Sequence, residues 1–165
     1  MRDFISESAE ETKRLGAALA ACLQAGDVVV LNGDLGAGKT QFVQGAAEAL
    51  GVIGEVTSPT FNILLTYDCG GLGPGASVLR LNHFDLYRLE NEEELDDIGY
   101  WEVLEDRAVA FIEWGDKFPE QLPDDFLELA LLADAHGTRT LMAQARGERS
   151  SALLACWIQR VGVDA

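Results

Sequence analysis

Gly33-Asp34-Leu35-Gly36-Ala37-Gly38-Lys39-Thr40 sets glycines, one lysine and one hydroxyl at the spacing G-x-x-x-x-G-K-[ST]. Together those residue types can hold a triphosphate. The glycines let the backbone N–H groups of Asp34, Leu35, Gly36, Ala37 and Gly38 turn inward as an anion-binding nest, which Cβ atoms would obstruct. Lys39 then reaches the β- and γ-phosphates, and the Thr40 hydroxyl ligates Mg²⁺. The bland alternative is a glycine-rich turn that happens to contain a lysine. Both flanks argue against it, because the context required is strand, loop and helix.

Val28-Val29-Val30-Leu31 precedes the loop as a buried strand, and Phe42, Val43, Ala46, Ala47 and Leu50 follow it at helical spacing up to Gly51. The helix aims the positive end of its dipole at the same phosphates. Carboxylates must come from neighbouring strand tips, where ligands of open α/β sheets collect. Two are available. Asp85 ends a half-polar strand running from about Val78 to Phe84, and Glu113 ends the wholly apolar Ala108-Val109-Ala110-Phe111-Ile112. That buried run reads as a central strand, so Glu113 is the better placed. One acid would orient Mg²⁺ and the other position the attacking water. Ser58-Pro59-Thr60 lies where a switch loop would touch the γ-phosphate, although on its own it reads as a turn before a strand. His83 reads as a packed strand residue rather than a catalyst, and Trp114 as core or as a wall of the nucleotide site.

Around these residues the chain reads as alternating α and β elements, in one domain over residues 1–165. Ser8 and Glu11 form a capping box for a first helix, with Leu15, Ala18, Leu19, Cys22 and Leu23 on one stripe and Gly26 as its stop. Phe61, Ile63, Leu65 and Tyr67 alternate as a strand, which the Asp68–Ser77 loop joins to the next strand as an antiparallel hairpin. Glu90–Asp106 is strongly acidic and suits one or two short helices. It is a solvated face or, more sharply, a docking surface for a basic partner. Phe126–Ala133 and Thr138–Ala145 follow as strands joined at His136-Gly137, and Glu148–Val161 closes the chain as a helix.

The formal charge is −16, with 12 basic residues dispersed among 28 acidic ones. No basic stripe of the kind that displaces phosphate counterions is present, so any service to a nucleic acid runs through a basic partner. No apolar run is long enough to span a bilayer, and the first residues lack the order of a signal peptide. Cys22, Cys69 and Cys156 are odd in number and far apart. They predict neither a disulfide framework nor a zinc site, and they fit a reducing cytoplasm.

The glycine-rich loop, Ser58-Pro59-Thr60, His83-Phe84-Asp85-Leu86-Tyr87-Arg88-Leu89 and Glu113-Trp114 occur in the order seen in the TsaE family, which the chain resembles over nearly its whole length. The Thr12-x-x-Leu15-Gly16 pattern of the first helix belongs to the same resemblance. It implies a P-loop NTPase-like three-layer fold with a mixed central β-sheet flanked by helices. It also implies an ATPase that works with the TsaB–TsaD pair, in which TsaD transfers a threonylcarbamoyl group to an anticodon-loop adenosine of tRNA. Carried over by residue, Lys39 binds phosphate, Thr40 ligates Mg²⁺, and Asp85 and Glu113 are metal-associated and catalytic carboxylates. Thr60 matches the switch threonine, Trp114 the tryptophan beside the site, and Thr12 a nucleotide contact. Gln41 departs from the second hydroxyl of many relatives, the Gly70–Ser77 loop is longer than usual, and Arg139 approaches from the C-terminal hairpin. Two other classes stay open. A small-molecule P-loop kinase would need an arginine-rich lid that the dispersed arginines do not form. A nucleotide-sensing subunit would bind ATP without useful hydrolysis.

Overall fold

The computed structural model describes residues 1–70, 78, 80–106 and 108–163. Its strands are β1 (Arg2–Ser6), β2 (Val28–Asn32), β3 (Leu64–Asp68), β4 (Arg80–Asp85), β5 (Val109–Glu113), β6 (Leu127–Ala133) and β7 (Arg139–Ala145). Its helices are α1 (Ala9–Ala20), α2 (Lys39–Ala49), α3 (Glu93–Asp97), α4 (Tyr100–Glu105) and α5 (Glu148–Val163). The strands form one mixed sheet in the order β1-β7-β6-β2-β5-β4-β3. β2 pairs in parallel with β5 and β6, and β5 pairs in parallel with β4; the remaining pairs are antiparallel.

Strand periodicity assigns the two faces. Val29, Leu31, Leu81, Val109 and Phe111 join the core formed with α1, α2 and α5, through Leu19, Phe42, Ala46 and Trp157. Val30, Phe84, Ala110 and Ile112 face the opposite side, where Leu95, Tyr100 and Phe118 cover them. The result is the expected three-layer α/β architecture, with a mixed sheet between helices. β5 is apolar throughout because both its faces are covered.

α1 begins as the sequence predicts. Ser8 Oγ accepts from the Glu11 N–H at 3.1 Å, while the Glu11 carboxylate accepts from Glu7 N at 2.6 Å, one residue further back than in the usual box. The helix ends at Ala20, short of Gly26, yet Cys22 and Leu23 stay buried in the turn that follows. α1 then lies directly against α2. An added Cβ on Gly16 would strike the Phe42 carbonyl, and one on Gly45 would strike the Lys13 carbonyl. These two glycines set the height of α2, and hence of the loop that feeds it.

Three features depart from the sequence reading, and one expectation falls outside the described residues. β1 has no counterpart in the sequence reading, although Phe4 and Ser6 alternate inward along it. The strand expected from Phe61 starts only at Leu64, because residues 60–63 turn and Ile63 adopts φ 63°. The Gly70–Ser77 loop lies beyond residue 70 outside the described residues. Finally, Cys22 and Cys156 form a disulfide with a Cα–Cα distance of 6.0 Å, leaving Cys69 free. The packing of α5 beside the end of α1 brings these cysteines together across a sequence separation of 134. A loop of that length restricts the unfolded chain by up to about 5 kcal/mol in the chain-entropy treatment. The bridge removes the cysteine-based argument for a reducing compartment.

The α1–α2 contact predicts opposite outcomes for two glycine substitutions. Gly45→Ala forces the helices apart and should lower stability by about 1–3 kcal/mol in urea unfolding. Gly162→Ala, in α5 with nothing within 4 Å of its added Cβ, should be neutral or stabilise by roughly 0.5–1 kcal/mol. Equal effects would show that the close approach does not govern helix placement.

Candidate functional site

The site forms where β2, β4 and β5 deliver their carboxyl ends to one edge. In the pairing register Leu31 faces Glu113 and Glu113 faces Asp85, so the two acids arrive side by side. Parallel pairing makes this unavoidable once β5 is central. The loop after β2 needs its glycines: Gly33, Gly36 and Gly38 take φ of 137°, 81° and 107°, values that favour residues without a Cβ. A Cβ on Gly33 would also collide with the Leu131 carbonyl of β6. Gly38 is the N-cap residue of α2, so the unpaired N–H groups of the first turn open toward the loop.

A cleft of about 280 Å³ lies between this loop and the strand tips. Leu35, Gly36, Gly38, Lys39, Thr40 and Gln41 line one side, and Ser58, Thr60, Asp85, Glu113 and Trp114 the other. Lys39 folds back over the loop. Its Nζ donates to the carbonyls of Gly33 at 2.6 Å and Asp34 at 2.9 Å, and sits 4.4 Å from the centroid of the Trp114 ring. Burial pushes the Lys39 ammonium below its ordinary value, against the opposing pull of Glu113, Asp85, Asp34 and Asp116. The desolvation of the lysine outweighs the pull of the nearby acids, and a bound anion adds to the charge that favours its protonated form.

The acids are held differently. Thr40 Oγ1 donates to Glu113 Oε1 at 3.3 Å, and the same oxygen lies 2.8 Å from His83 Nε2. Asp85 Oδ1 accepts from the Tyr87 N–H at 3.0 Å, and its Oδ2 accepts from Thr60 Oγ1 at 2.9 Å and Ser58 Oγ at 3.2 Å. Ser58-Pro59-Thr60 is thus a turn before a strand, and it is also tethered to a site carboxylate. The main-chain N–H of Asp85 donates to the carbonyl of Ile63 at 2.8 Å. Among the described residues, Ile63 and Trp114 are the only non-glycine residues with positive φ, 63° and 62°. Trp114 lines this cleft, and Ile63 is bonded to Asp85, which lines it. Strain of about 1–3 kcal/mol at each such position persists only where surrounding contacts enforce it.

The Thr40 hydroxyl and the carboxylates of Asp85 and Glu113 are hard oxygen donors, a set suited to Mg²⁺. Among the described residues, no three His, Cys, Asp or Glu side chains cluster as a metal site by themselves. One or two carboxylates completed by phosphate oxygens is the usual arrangement for Mg²⁺.

Of the residues singled out from the sequence, Leu35, Gly36, Gly38, Lys39, Thr40, Thr60, Asp85, Glu113 and Trp114 line the cleft. Asp34 contributes its carbonyl to Lys39, and Ala37 is buried beneath the loop. Thr12 is not part of the lining. Its hydroxyl turns to Ser6 Oγ at 2.8 Å and to the Ser8 carbonyl at 3.1 Å, while its methyl group packs near Gly38. Arg139 also lies against Gly38. Sequence reasoning undervalued His83, which is buried against Glu113. Its position two residues before Asp85 on β4, hence on the same face, was the available signal.

Comparison with known proteins gives a consistent picture. The profile of the family described as threonylcarbamoyl adenosine biosynthesis protein TsaE matches residues 6–141. A protein of Bacillus subtilis named tRNA threonylcarbamoyladenosine biosynthesis protein TsaE is 41% identical over 140 residues, 85% of this chain and 83% of its own. A protein of the same name from Treponema pallidum is 40% identical over 137 residues, 83% of this chain and 96% of its own. The crystal structure of YdiB from Bacillus subtilis superposes with a TM-score of 0.78 at 32% identity, covering 99% of this chain and 96% of that one. The fold is P-loop NTPase-like.

The lowered Lys39 value predicts a pH dependence of triphosphate binding. An anion favours the protonated lysine, so affinity should be constant below the lowered value and weaken as pH rises through it, before the ordinary 10.5 is reached. Calorimetric titrations at stepped pH would show this together with proton uptake on binding. Affinity that stays flat up to pH 10.5 would contradict it.

Proposed function

The chain belongs to the TsaE family of tRNA threonylcarbamoyladenosine biosynthesis proteins, and we propose that it serves that pathway as a Mg²⁺-dependent ATPase acting with TsaB and TsaD. The observation that carries this reading is the convergence of Lys39, Thr40, Asp85 and Glu113 on one cleft beside a glycine-rich loop. Backbone N–H groups of the loop and the first turn of α2 bind the phosphates, and Lys39 neutralises the β- and γ-groups. Thr40, with Asp85 and Glu113, would hold Mg²⁺, whose charge offsets that of the phosphates. Glu113 orients the attacking water through its cleft-facing carboxylate, and Asp85 links the metal side of the site to the Ser58–Thr60 turn. The Trp114 ring and the Lys39 ammonium form a cation–π contact that keeps the lysine beside the phosphates.

Threonylcarbamoyl transfer to an anticodon-loop adenosine is assigned to TsaD, and hydrolysis here supports repeated turnover of that reaction. Contact with tRNA is indirect, consistent with a charge of −16. The place of action is the cytoplasm, where the tRNA is modified. Among the described residues, no helix is long and apolar enough to cross a membrane.

ATP turnover measured alone and with purified TsaB–TsaD tests the proposal. The pair should stimulate turnover, and no small acceptor should become phosphorylated. Lys39→Ala should weaken ATP binding, while Glu113→Ala should leave binding in place and lower turnover by on the order of a hundredfold. Acceptor-dependent turnover would favour a kinase. Pathway function undiminished in Glu113→Ala would favour a nucleotide sensor.

A further inference from the structure

We infer that His83 is a positioning residue for Glu113: it fixes one carboxylate oxygen and so leaves the other aimed into the cleft. The inference rests on the proposed hydrolytic role of Glu113. His83 is wholly buried, at 0% exposure. Its period-two neighbours on β4 are Leu81 and Asp85, which puts it on the face toward α2, as Glu113 is on β5. Leu65 and Phe111 are its register partners on the two adjoining strands. Flanked in this way by β3 and β5, the imidazole has little room to turn.

The hydrogen bonds assign its tautomer. Nε2 lies 2.8 Å from Glu113 Oε1, whereas Nδ1 is buried and has no partner among the described residues. A buried N–H without an acceptor is rarer than a buried acceptor without a donor. The hydrogen therefore belongs on Nε2 and donates to Glu113. Thr40 Oγ1 donates to that same Oε1 at 3.3 Å, so two donors hold one oxygen. Among the described residues, Glu113 Oε2 has no hydrogen-bond partner, and Glu113 lines the cleft. One oxygen held and one free is the arrangement that orients a carboxylate toward water or metal. A histidine that merely filled the core would not need Nε2 directed at the only acid on β5.

Two variants separate positioning from packing. His83→Leu keeps bulk and removes the donor, whereas His83→Gln restores an N–H at similar reach. With TsaB–TsaD present, H83L should lower kcat about 10–100-fold while leaving the KM for ATP unchanged. H83Q should recover most of that loss. In a Glu113→Ala background H83L should cost nothing further, because the group it positions is gone. Equal impairment by Leu and Gln, or an undiminished H83L effect without Glu113, would overturn the inference. Side-chain ¹⁵N NMR of the wild-type protein supplies a readout independent of hydrolysis and of variant folding. It should show a protonated, pyrrole-type Nε2; an Nε2 without hydrogen would overturn the inference even if ATP is hydrolysed. Wild-type protein without ATP turnover, but with the expected tautomer, would instead defeat the proposed function and leave the His83–Glu113 contact standing.

Discussion

Everything at this site depends on the parallel pairing of β5 with both β2 and β4. Register in a sheet fixes depth, and the partners Leu31, Glu113 and Asp85 stand at one level. A slip of one residue would turn Glu113 from the α2 side to the other face of the sheet. What prevents the slip is burial on both faces: Phe111 belongs to the core beneath α2, and Ile112 to the core beneath α4. The apolar run that specifies a central strand therefore also sets the height of its terminal acid. Packing and chemistry are the same constraint here.

The electrostatics follow from that geometry. One desolvated lysine faces two carboxylates at the end of a helix dipole, in a chain carrying sixteen excess negative charges. The long-range field repels an anionic ligand. Affinity must then come from short-range groups: loop N–H donors, Lys39 and, in the proposed reading, Mg²⁺. A cation between the carboxylates and the phosphates resolves a conflict that the protein alone leaves in place. In the proposed reading, such a site would couple nucleotide and metal binding by charge.

Much of this was legible in the sequence because the signals were local. The glycine-lysine-threonine spacing, the apolar run before Glu113 and the capping at Ser8 each depend on residues within a few positions of one another. What escaped notice was non-local or competed with a stronger pattern. β1 is a short edge strand that pairs, among the described residues, with β7 alone, and Arg2-Asp3-Phe4-Ile5-Ser6 carries too few apolar residues to announce it. The alternation from Phe61 to Tyr67 looks like one strand, but Ile63 breaks it where its carbonyl meets the main chain of Asp85. No spacing rule could pair Cys22 with Cys156, since only the docking of α5 beside α1 joins them. On sequence alone a strand histidine reads as packing; its partner is an acid thirty residues away.

The two strained residues suggest how the halves of the site are joined. Ile63 turns left-handed so that its carbonyl can receive the Asp85 N–H, while Thr60 and Ser58 of the same turn donate to the Asp85 carboxylate. Trp114 turns left-handed immediately after Glu113, which places its ring beside Lys39 and 5.0 Å from Tyr87. Tyr87 in turn donates its main-chain N–H to Asp85. Asp85 is thus bonded to the Ser58–Thr60 turn on one side and, through Tyr87 and Trp114, adjoins Lys39 on the other. A ligand drawing Lys39 or Asp85 toward phosphate changes contacts shared by both segments. Those contacts are among the ones that hold the unfavourable backbone of each segment, and they run through the residues that line the cleft.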